Sequence, residues 1–318
     1  LIIDECSTVS NEDMLRLLKN INFELLVLVG DIYQIESITF GNWFGIAKML
    51  LNNKAKYELT VPYRSKNENL KILWDKVRNL DDEIVEWMSI NRYSQKLDES
   101  ILTLNDEDEI ILCLNYDGLY GINNINRFMQ NSNKNKAIDW GIGTYKVGDP
   151  ILFNESNRFS PVIYNNLKGK IKKIEVEEAK HRIWFDVEIN IVINEREADF
   201  VGLNLIENNE KKSTVRFFVN EFKDLDEEDD INSNSVVPFF VAYAVSIHKS
   251  QGLEYNSVKI IITHEIEENI SHNIFYTAIT RAMNKLKIYW TPECQNKIIK
   301  NMKLKFNTKD AYIISNKI

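Results

Sequence analysis

The chain has 318 residues, with 39 lysines and arginines against 47 aspartates and glutamates, which gives a formal net charge of −8 at pH 7. At roughly 150 residues per domain, this length predicts about two domains. The hydrophobic content of 44% is typical of globular proteins and excludes an extended disordered chain. No apolar run reaches the roughly 20 residues that cross a bilayer, so we expect no integral membrane protein.

Two features of the sequence bear on where the protein works, and a third bears on whether the chain is a fragment. Cys6, Cys113 and Cys294 lie far apart and outside any Cys-x-x-Cys pattern. This spacing excludes a disulfide framework or a zinc ribbon and is typical of a reducing cytoplasm. There is no signal-peptide pattern, so we expect a cytoplasmic location. The chain opens on an apolar strand without an initiator Met, and we interpret it as a fragment of a longer protein.

Residues 1–65 are predicted to alternate between strands and helices. A short apolar strand at 1–3 precedes a helix at Asn11–Asn20. Ser10 is placed to cap the N-terminus of this helix. The continuous apolar run at 25–29 predicts a strand buried on both faces. With a further helix at 43–51, this alternation predicts an α/β fold with a parallel sheet.

The pattern changes twice further along the chain. Residues 66–144 are mainly helical, around a buried strand at 110–114. From Tyr145, short apolar runs divided by turns predict a small antiparallel barrel over 145–235. Its predicted strands lie at 151–153, 183–189 and 191–193, with Lys168-Gly169-Lys170 between strands, and the acidic stretch 224–230 is interpreted as a solvated loop.

The α/β pattern returns over 236–318, so the barrel is predicted to be an insertion into the second α/β domain. We expect strands at 239–245, 258–263 and 286–290, and a helix at 274–283.

Two strand exits carry polar side chains. Asp4 and Glu5 follow the first strand, at the edge where open α/β sheets bind ligands. One carboxylate can hold Mg²⁺ through water while its neighbour polarises an attacking water, although such a pair is also common in plain loops. Asp31 and Gln34 follow the second strand, and an amide there can donate to a phosphate and accept from a water.

Three further segments carry cationic or anion-binding groups. Arg64 follows a Pro-containing turn and can aim its guanidinium at a phosphate. The densest polar cluster, 245–255, places Ser246, His248 and Lys249 directly after an apolar strand. On the predicted helix, Arg281 shares a face with Thr277, away from the inward-facing alanines, which makes it a candidate for facing a cleft.

These segments, in this order, resemble motifs II to VI of superfamily 1 helicases, and most closely the RecD-like branch that includes Dda and the TraI helicases. Asp4-Glu5 resembles motif II, and Gly30-Asp31-x-x-Gln34 resembles motif III. Arg64 matches the motif IV arginine. Residues 246–252 and 276–282 resemble motifs V and VI, and the insertion from Tyr145 resembles the SH3-like barrel of that branch.

The resemblance implies an ATP-dependent DNA helicase with two RecA-like (P-loop NTPase) domains. Residues 1–65 would then be the end of the first domain, 66–144 and 236–318 the second, and 145–235 the inserted SH3-like barrel. ATP and Mg²⁺ are the implied cofactors, and single-stranded DNA is the implied partner, with movement from 5′ to 3′. A partner protein that docks on the barrel or on a missing N-terminal region is a further expectation.

The same resemblance assigns residue roles. Asp4 would hold Mg²⁺ through water, Glu5 would activate the attacking water, and Gln34 would sense the γ-phosphate. Arg64 and Arg281 would be arginine fingers. The nucleotide contacts would include Asp31, Gly252 and Glu254, and the DNA contacts would be Ser246, His248 and Lys249.

Several alternatives remain open at this level. The chain contains no GxxxxGK[ST] sequence, so we expect these 318 residues to be inactive alone. A decayed helicase-like module that binds DNA or a partner protein is one alternative, and a metal-dependent nuclease built on Asp4-Glu5 is another. Trp43 and Phe44 are interpreted as core residues rather than base-stacking platforms. Lysines between 168 and 173 are a candidate DNA groove, which the glutamates nearby weaken.

Overall fold

The computed structural model describes residues 1–37, 39–154, 156–221, 234–305 and 307–316. The helices are α1 (Asn11–Asn20), α2 (Trp43–Leu50), α3 (Glu68–Asn79), α4 (Ile84–Ile90), α5 (Ile122–Ser132), α6 (Glu195–Phe200), α7 (His272–Ile279), α8 (Pro292–Asn301) and α9 (Thr308–Ser315). None of the helices in these described ranges is long and apolar enough to cross a membrane. The acidic stretch 224–230 lies outside the described residues.

The strands are β1 (Ile2–Ile3), β2 (Val27–Leu28), β3 (Ser94–Gln95), β4 (Glu109–Cys113), β5 (Ile138–Trp140), β6 (Gly143–Tyr145), β7 (Pro150–Phe153), β8 (Lys168–Glu177), β9 (Arg182–Ile189), β10 (Asn204–Asn208), β11 (Ser213–Asn220), β12 (Phe239–Val241), β13 (Ala244–Ser246), β14 (Tyr255–Ile261) and β15 (Ala282–Tyr289). The chain divides into two compact units, one formed by Leu1–Asn115 with Ser246–Ile318 and the other by Tyr116–Val245. The assignment of RecA-like segments along the chain stays a prediction.

The first unit is built on parallel strands. β14 pairs in parallel with β4 on one side and with β15 on the other, and β15 pairs in parallel with β3. Every residue of β4 is buried, as expected for a strand covered on both faces. The helix α7 connects β14 to β15, so these elements form a βαβ unit. The predicted α/β fold with a parallel sheet is therefore confirmed.

A second, smaller parallel pair joins β1 to β2 in the same unit. The prediction of a strand at 25–29 buried on both faces was wrong. Only Val27–Leu28 is strand, and the side chains of Leu25 and Val29 are 69% and 41% exposed. Among the described residues, β1 and β2 pair only with each other, and Val27 within β2 is itself 37% exposed, so this apolar run is not enclosed on both faces.

The second unit contains an antiparallel sheet in the order β10-β11-β9-β8-β7-β12. Its inner face packs four phenylalanines edge to face or tilted, with ring centroids 5.0–6.3 Å apart (Phe153, Phe185, Phe217 and Phe239). The predicted strands at 151–153 and 183–189 are present, and both pair antiparallel with β8. The pairings of the described residues do not join β10 to β12, so the predicted closed barrel is not found.

Two details of this sheet differ from the sequence prediction. Lys168-Gly169-Lys170 lies within β8 rather than in a turn, because Gly169 allows close strand packing: a Cβ there would meet Val187 Cγ1 at 2.9 Å. Residues 191–193 are not a strand. The Ile193 N–H donates to the Ser213 hydroxyl instead of to a ladder carbonyl.

The predicted strand at 239–245 is two strands, β12 and β13, and the division between the two units falls within β13. β12 pairs with β7 only as far as Val241. The next residue, Ala242, donates its N–H to the Pro150 carbonyl, and Tyr243 donates its hydroxyl proton to Asp149 over 2.9 Å. These contacts, which sequence periodicity does not encode, interrupt the predicted strand.

Candidate functional site

The Asp4-Glu5 pair lies directly after β1, at its carboxyl end, as predicted. The next residue, Cys6, donates its N–H to the Val29 carbonyl over 2.8 Å, which fixes this exit against the end of β2. Glu5 has a φ of 52°, in the left-handed region that non-glycine residues rarely adopt. Such backbone strain persists where the surrounding structure enforces it and is concentrated at functional sites.

Glu5 lies in a mixed electrostatic environment. Burial raises the pKa of its carboxyl above the ordinary value, and the guanidinium of Arg281 opposes that increase. The charges of Asp4 and Asp31 raise the same pKa further, whereas Arg64 lowers it. The structure thus gathers two carboxylates and two guanidinium groups around Glu5.

The loop after β2 is shaped by Gly30 and Asp31. A Cβ at Gly30 would meet the Phe44 ring at 2.9 Å, so only glycine fits this approach. The Asp31 carboxylate accepts the Tyr33 N–H over 2.9 Å, and the Asp31 carbonyl accepts the Gln34 N–H over 3.2 Å. These bonds form the tight turn that carries Gln34.

Arg281 contacts a residue that lies far away in the sequence. Its side chain is wholly buried, and Nη2 donates to Oε1 of Gln34 over 3.1 Å. Its other nitrogens donate to the carbonyls of Leu253 and Thr277 at 3.1 and 3.0 Å. Burial, together with the nearby charge of Arg64, lowers the pKa of Arg281 to about 10.

The expected helical position of Arg281 was wrong. The helix α7 ends at Ile279, and Arg281 lies between it and β15, which begins at Ala282. The Tyr255 N–H donates to the Arg281 carbonyl over 2.9 Å, so sheet pairing draws this residue out of the helix. Arg281 still contacts Thr277, but through the Thr277 carbonyl.

Arg64 lies in the same site. Its Nε is 2.8 Å from Oε2 of Glu254, and its Nη1 donates to the Thr280 carbonyl over 2.8 Å. The side chains of Arg64 and Glu254 are 30% and 51% exposed, so both reach solvent. Because Arg64 lowers the pKa of Arg281, the two guanidinium groups are close enough to repel, and an anion bound beside them would relieve that repulsion.

The segment 246–254 forms tight turns. The buried Ser246 hydroxyl accepts the Lys249 N–H over 3.1 Å, and Gly252 has a φ of 77°, which suits glycine. His248 is exposed, and Lys249 is half-buried. The predicted DNA contacts are therefore grouped in one loop, in which Ser246 shapes the turn.

Sequence reasoning missed two residues that hold the loop after β2. Asn273 Nδ2 donates to the carbonyls of Ile32 and Gln34, at 3.1 and 2.8 Å. Gln251 Nε2 donates to the Ile35 carbonyl over 3.2 Å. Gln251 lies within the segment 246–252 that resembles motif V, although no role was assigned to it, whereas no sequence pattern marked Asn273.

The other candidate DNA-binding groups have contacts of their own. The Trp43 indole donates to the Val9 carbonyl over 2.8 Å, and Phe44 packs over Gly30, but both side chains are half-buried and neither belongs to the buried core. In the second unit, Lys172 lies 3.4 Å from Glu188, and Lys173 lies 2.5 Å from Glu175. These glutamates offset the charge of the predicted lysine groove.

The donor set fits a magnesium nucleotide. The carboxylates of Asp4 and Glu5 are the oxygen ligands or water-mediated contacts that Mg²⁺ prefers. The guanidinium groups of Arg64 and Arg281 suit phosphate oxygens, and Gln34 can donate to a phosphate and accept from a water. These groups lie at the carboxyl end of a parallel strand pair, which is the arrangement expected of the nucleotide-binding α/β class.

Comparison with known proteins agrees with this class. Residues 1–96 match the AAA domain family, and residues 241–289 match the UvrD-like helicase C-terminal domain family. An uncharacterized protein of Methanocaldococcus jannaschii, MJ1519, is 25% identical over 93% of the chain. The RecBCD enzyme subunit RecD of Buchnera aphidicola is 23% identical over 85% of it. The chain spans only 29% and 37% of the lengths of these two proteins.

A solved structure shows a similar fold. The Pif1 helicase from Bacteroides, in complex with ADP-AlF3 and ssDNA, superposes with a TM-score of 0.52 at 16% identity, over 91% of this chain and 70% of that one. These matches relate the chain to superfamily 1 helicases. RecD and Pif1 proteins both match, so the RecD-like and Pif1-like branches are equally supported.

Proposed function

We propose that this chain is part of an ATP-dependent DNA helicase or translocase of the RecD-like branch, which couples ATP hydrolysis to movement along single-stranded DNA from 5′ to 3′. The observation that carries this proposal is the hydrogen bond between the buried Arg281 and Gln34. It connects the polar loop after β2 with the polar turn after α7 in one site. The ligands of the similar Pif1 structure, ADP-AlF3 and ssDNA, support ATP and DNA as the ligands here.

In this proposal each residue has a defined task. Asp4 would hold Mg²⁺ through a water, and the metal would supply positive charge to neutralise the phosphates. Glu5 accepts a proton from the attacking water, and its raised pKa makes the carboxylate a stronger base for this role. Gln34 orients that water or a phosphate oxygen, and Asp31 shapes the turn that presents it.

The arginines would act on charge that develops during hydrolysis. Arg64 is anchored by Glu254 and Arg281 by the Leu253 carbonyl, so both guanidinium groups are held in place before any ligand binds. Preorganised cations of this kind stabilise transition-state charge without reorganisation. Gly252 and Glu254 would contact the nucleotide from the turn that also carries Ser246, His248 and Lys249, the proposed DNA contacts.

Three finer expectations belong to the same proposal. The antiparallel sheet of the second unit would be the SH3-like insertion, and the protein would work in the cytoplasm. The 318 residues hold no phosphate-binding loop sequence, so this chain alone should not hydrolyse ATP.

The test is phosphate release from ATP by the full-length protein, with and without single-stranded DNA, beside the same assay on the 318-residue chain. We expect DNA-stimulated hydrolysis by the full-length protein and none by the chain alone. If the full-length protein binds DNA but never hydrolyses ATP, the alternative of a decayed helicase-like binding module replaces the proposal.

A further inference from the structure

The side chain of Asn273, near the start of α7, binds main-chain carbonyls of the loop after β2. Its Nδ2 donates to the Gln34 carbonyl over 2.8 Å and to the Ile32 carbonyl over 3.1 Å. A side-chain amide has two N–H donors, so both can be used at once. Asn273 thus links two carbonyls that lie two residues apart on one turn.

The same helix makes a second contact with this loop one turn later, through Thr277. Thr277 lies four residues after Asn273, so both side chains are on one face of α7. The Thr277 hydroxyl accepts the Ile35 N–H over 2.9 Å, and this threonine is wholly buried. The main chain from Ile32 to Ile35 is therefore held from outside the loop at three points by one helix face.

The held segment carries the glutamine of the proposed site. The backbone of Gln34 is bonded to Asn273, and its side-chain oxygen is bonded to Arg281. Loss of the Asn273 bonds would let the backbone move while Arg281 still holds the amide. The Gln34 amide would then depend on the Arg281 bond without a fixed backbone behind it, and its alignment with the groups around Arg281 would loosen.

We propose that Asn273 is a positioning residue: it holds the Gln34 backbone so that the Gln34 amide stays aligned with Arg281 and Glu5 during hydrolysis. It contacts neither nucleotide nor DNA in this role. The catalytic half of the proposal rests on the ATPase function proposed above. The structural half, that Asn273 fixes residues 32–35, does not.

The structural half is tested by amide hydrogen exchange on the full-length protein and its Asn273→Ala variant. We expect faster exchange at residues 32–35 in the variant and unchanged exchange in α1, which lies outside this segment. The matched control is Asn269→Ala, which removes an exposed asparagine four residues earlier. Equal exchange at 32–35 in the wild type and the Asn273→Ala variant would overturn the proposal.

The catalytic half is tested by a double-mutant cycle on DNA-stimulated hydrolysis, with Asn273→Ala, Gln34→Ala and the double variant. Because small misplacements of catalytic groups have large effects, we expect Asn273→Ala to lower kcat by about tenfold to a hundredfold. The KM for ATP should change far less than kcat. In the Gln34→Ala background, Asn273→Ala should cause no further loss, since it acts through Gln34.

The outcomes separate the two proposals. Independent losses that multiply in the double variant would contradict a role through Gln34. A wild-type protein without any ATP hydrolysis would refute the proposed function and the catalytic role together, whereas the exchange result would still decide whether Asn273 fixes the loop.

Discussion

Arg281 and Gln34 are 247 positions apart in the sequence, and the Nη2 of one donates a 3.1 Å hydrogen bond to Oε1 of the other. The bond is partly buried, because Arg281 has no exposed surface whereas Gln34 is half-buried. A charge-assisted bond of this kind is stronger than a neutral one. It therefore makes the position of the glutamine depend on the turn that follows α7.

This geometry predicts that Arg281→Lys is not a conservative change. Lysine keeps the charge but cannot bond Gln34, Leu253 and Thr277 at once. We expect DNA-stimulated hydrolysis by the full-length variant to fall by at least about a hundredfold, since loss of an arginine finger costs on the order of 10³ in rate.

The measurement is single-turnover hydrolysis, with a thermal melt to show that the variant is folded. The control is Arg16→Lys, which changes an exposed arginine on α1 whose side chain is 69% accessible. A folded Arg281→Lys variant with wild-type turnover would remove Arg281 from the proposed catalytic set.

The loop at 246–254 predicts a change in the salt dependence of DNA binding. If Lys249 contacts a phosphate, Lys249→Ala weakens binding to all single-stranded sequences alike. The slope of log affinity against log salt should become shallower by about 0.7, the value for one phosphate contact on a single strand. Fluorescence anisotropy at several salt concentrations measures this slope.

The exposed Lys19 on α1 offers the matched control, because Lys19→Ala removes the same charge elsewhere on the unit. Equal slopes for the wild type and the Lys249→Ala variant would show that Lys249 does not contact a phosphate. A loss confined to one DNA sequence would indicate base contact instead.

The burial of His272 predicts that the stability of the folded protein depends on pH. It is 1% exposed, and its Nε2 is 2.9 Å from the Val77 carbonyl. Burial lowers the pKa of His272 below its ordinary value of about 6.5, so the unfolded chain takes up a proton more readily than the folded one. The free energy of unfolding therefore decreases as pH falls below about 6.5, until pH passes the folded pKa.

Urea unfolding at pH 7, 6 and 5 checks this dependence in wild type and His272→Gln. We expect the wild type to lose more free energy of unfolding than the variant over this range, by up to about 1.4 kcal/mol per pH unit. The control is His264→Gln, since the His264 side chain is 60% exposed. Parallel pH profiles for wild type and His272→Gln would contradict the prediction.

The sequence predicted those elements whose signals are local. The helix Asn11–Asn20 has the predicted bounds, because Ser10 accepts the Asp13 N–H at its N-terminus and the apolar spacing marks its length. Motif order also placed Glu5, Gln34, Arg64 and Arg281 in one candidate site, and the structure brings these four together.

The sequence failed where distant contacts decide the local structure. Helical spacing predicted that Arg281 lies on a helix, but pairing of its carbonyl with Tyr255 starts a strand there. The apolar run at 25–29 predicted a buried strand, yet burial depends on neighbours that periodicity does not encode. Asn273 was missed because its role consists only of bonds to a loop some 240 residues away.

The most direct test of the central claim is the separation of ATP binding from ATP hydrolysis in the full-length Glu5→Gln variant. Glutamine keeps the shape of the side chain but cannot accept the proton of the attacking water. The account predicts that the variant binds ATP with affinity close to wild type and that DNA-stimulated hydrolysis falls by at least about a hundredfold, the scale of general-base loss. Near-normal hydrolysis by Glu5→Gln would contradict the assignment of this site as the place where ATP is cleaved.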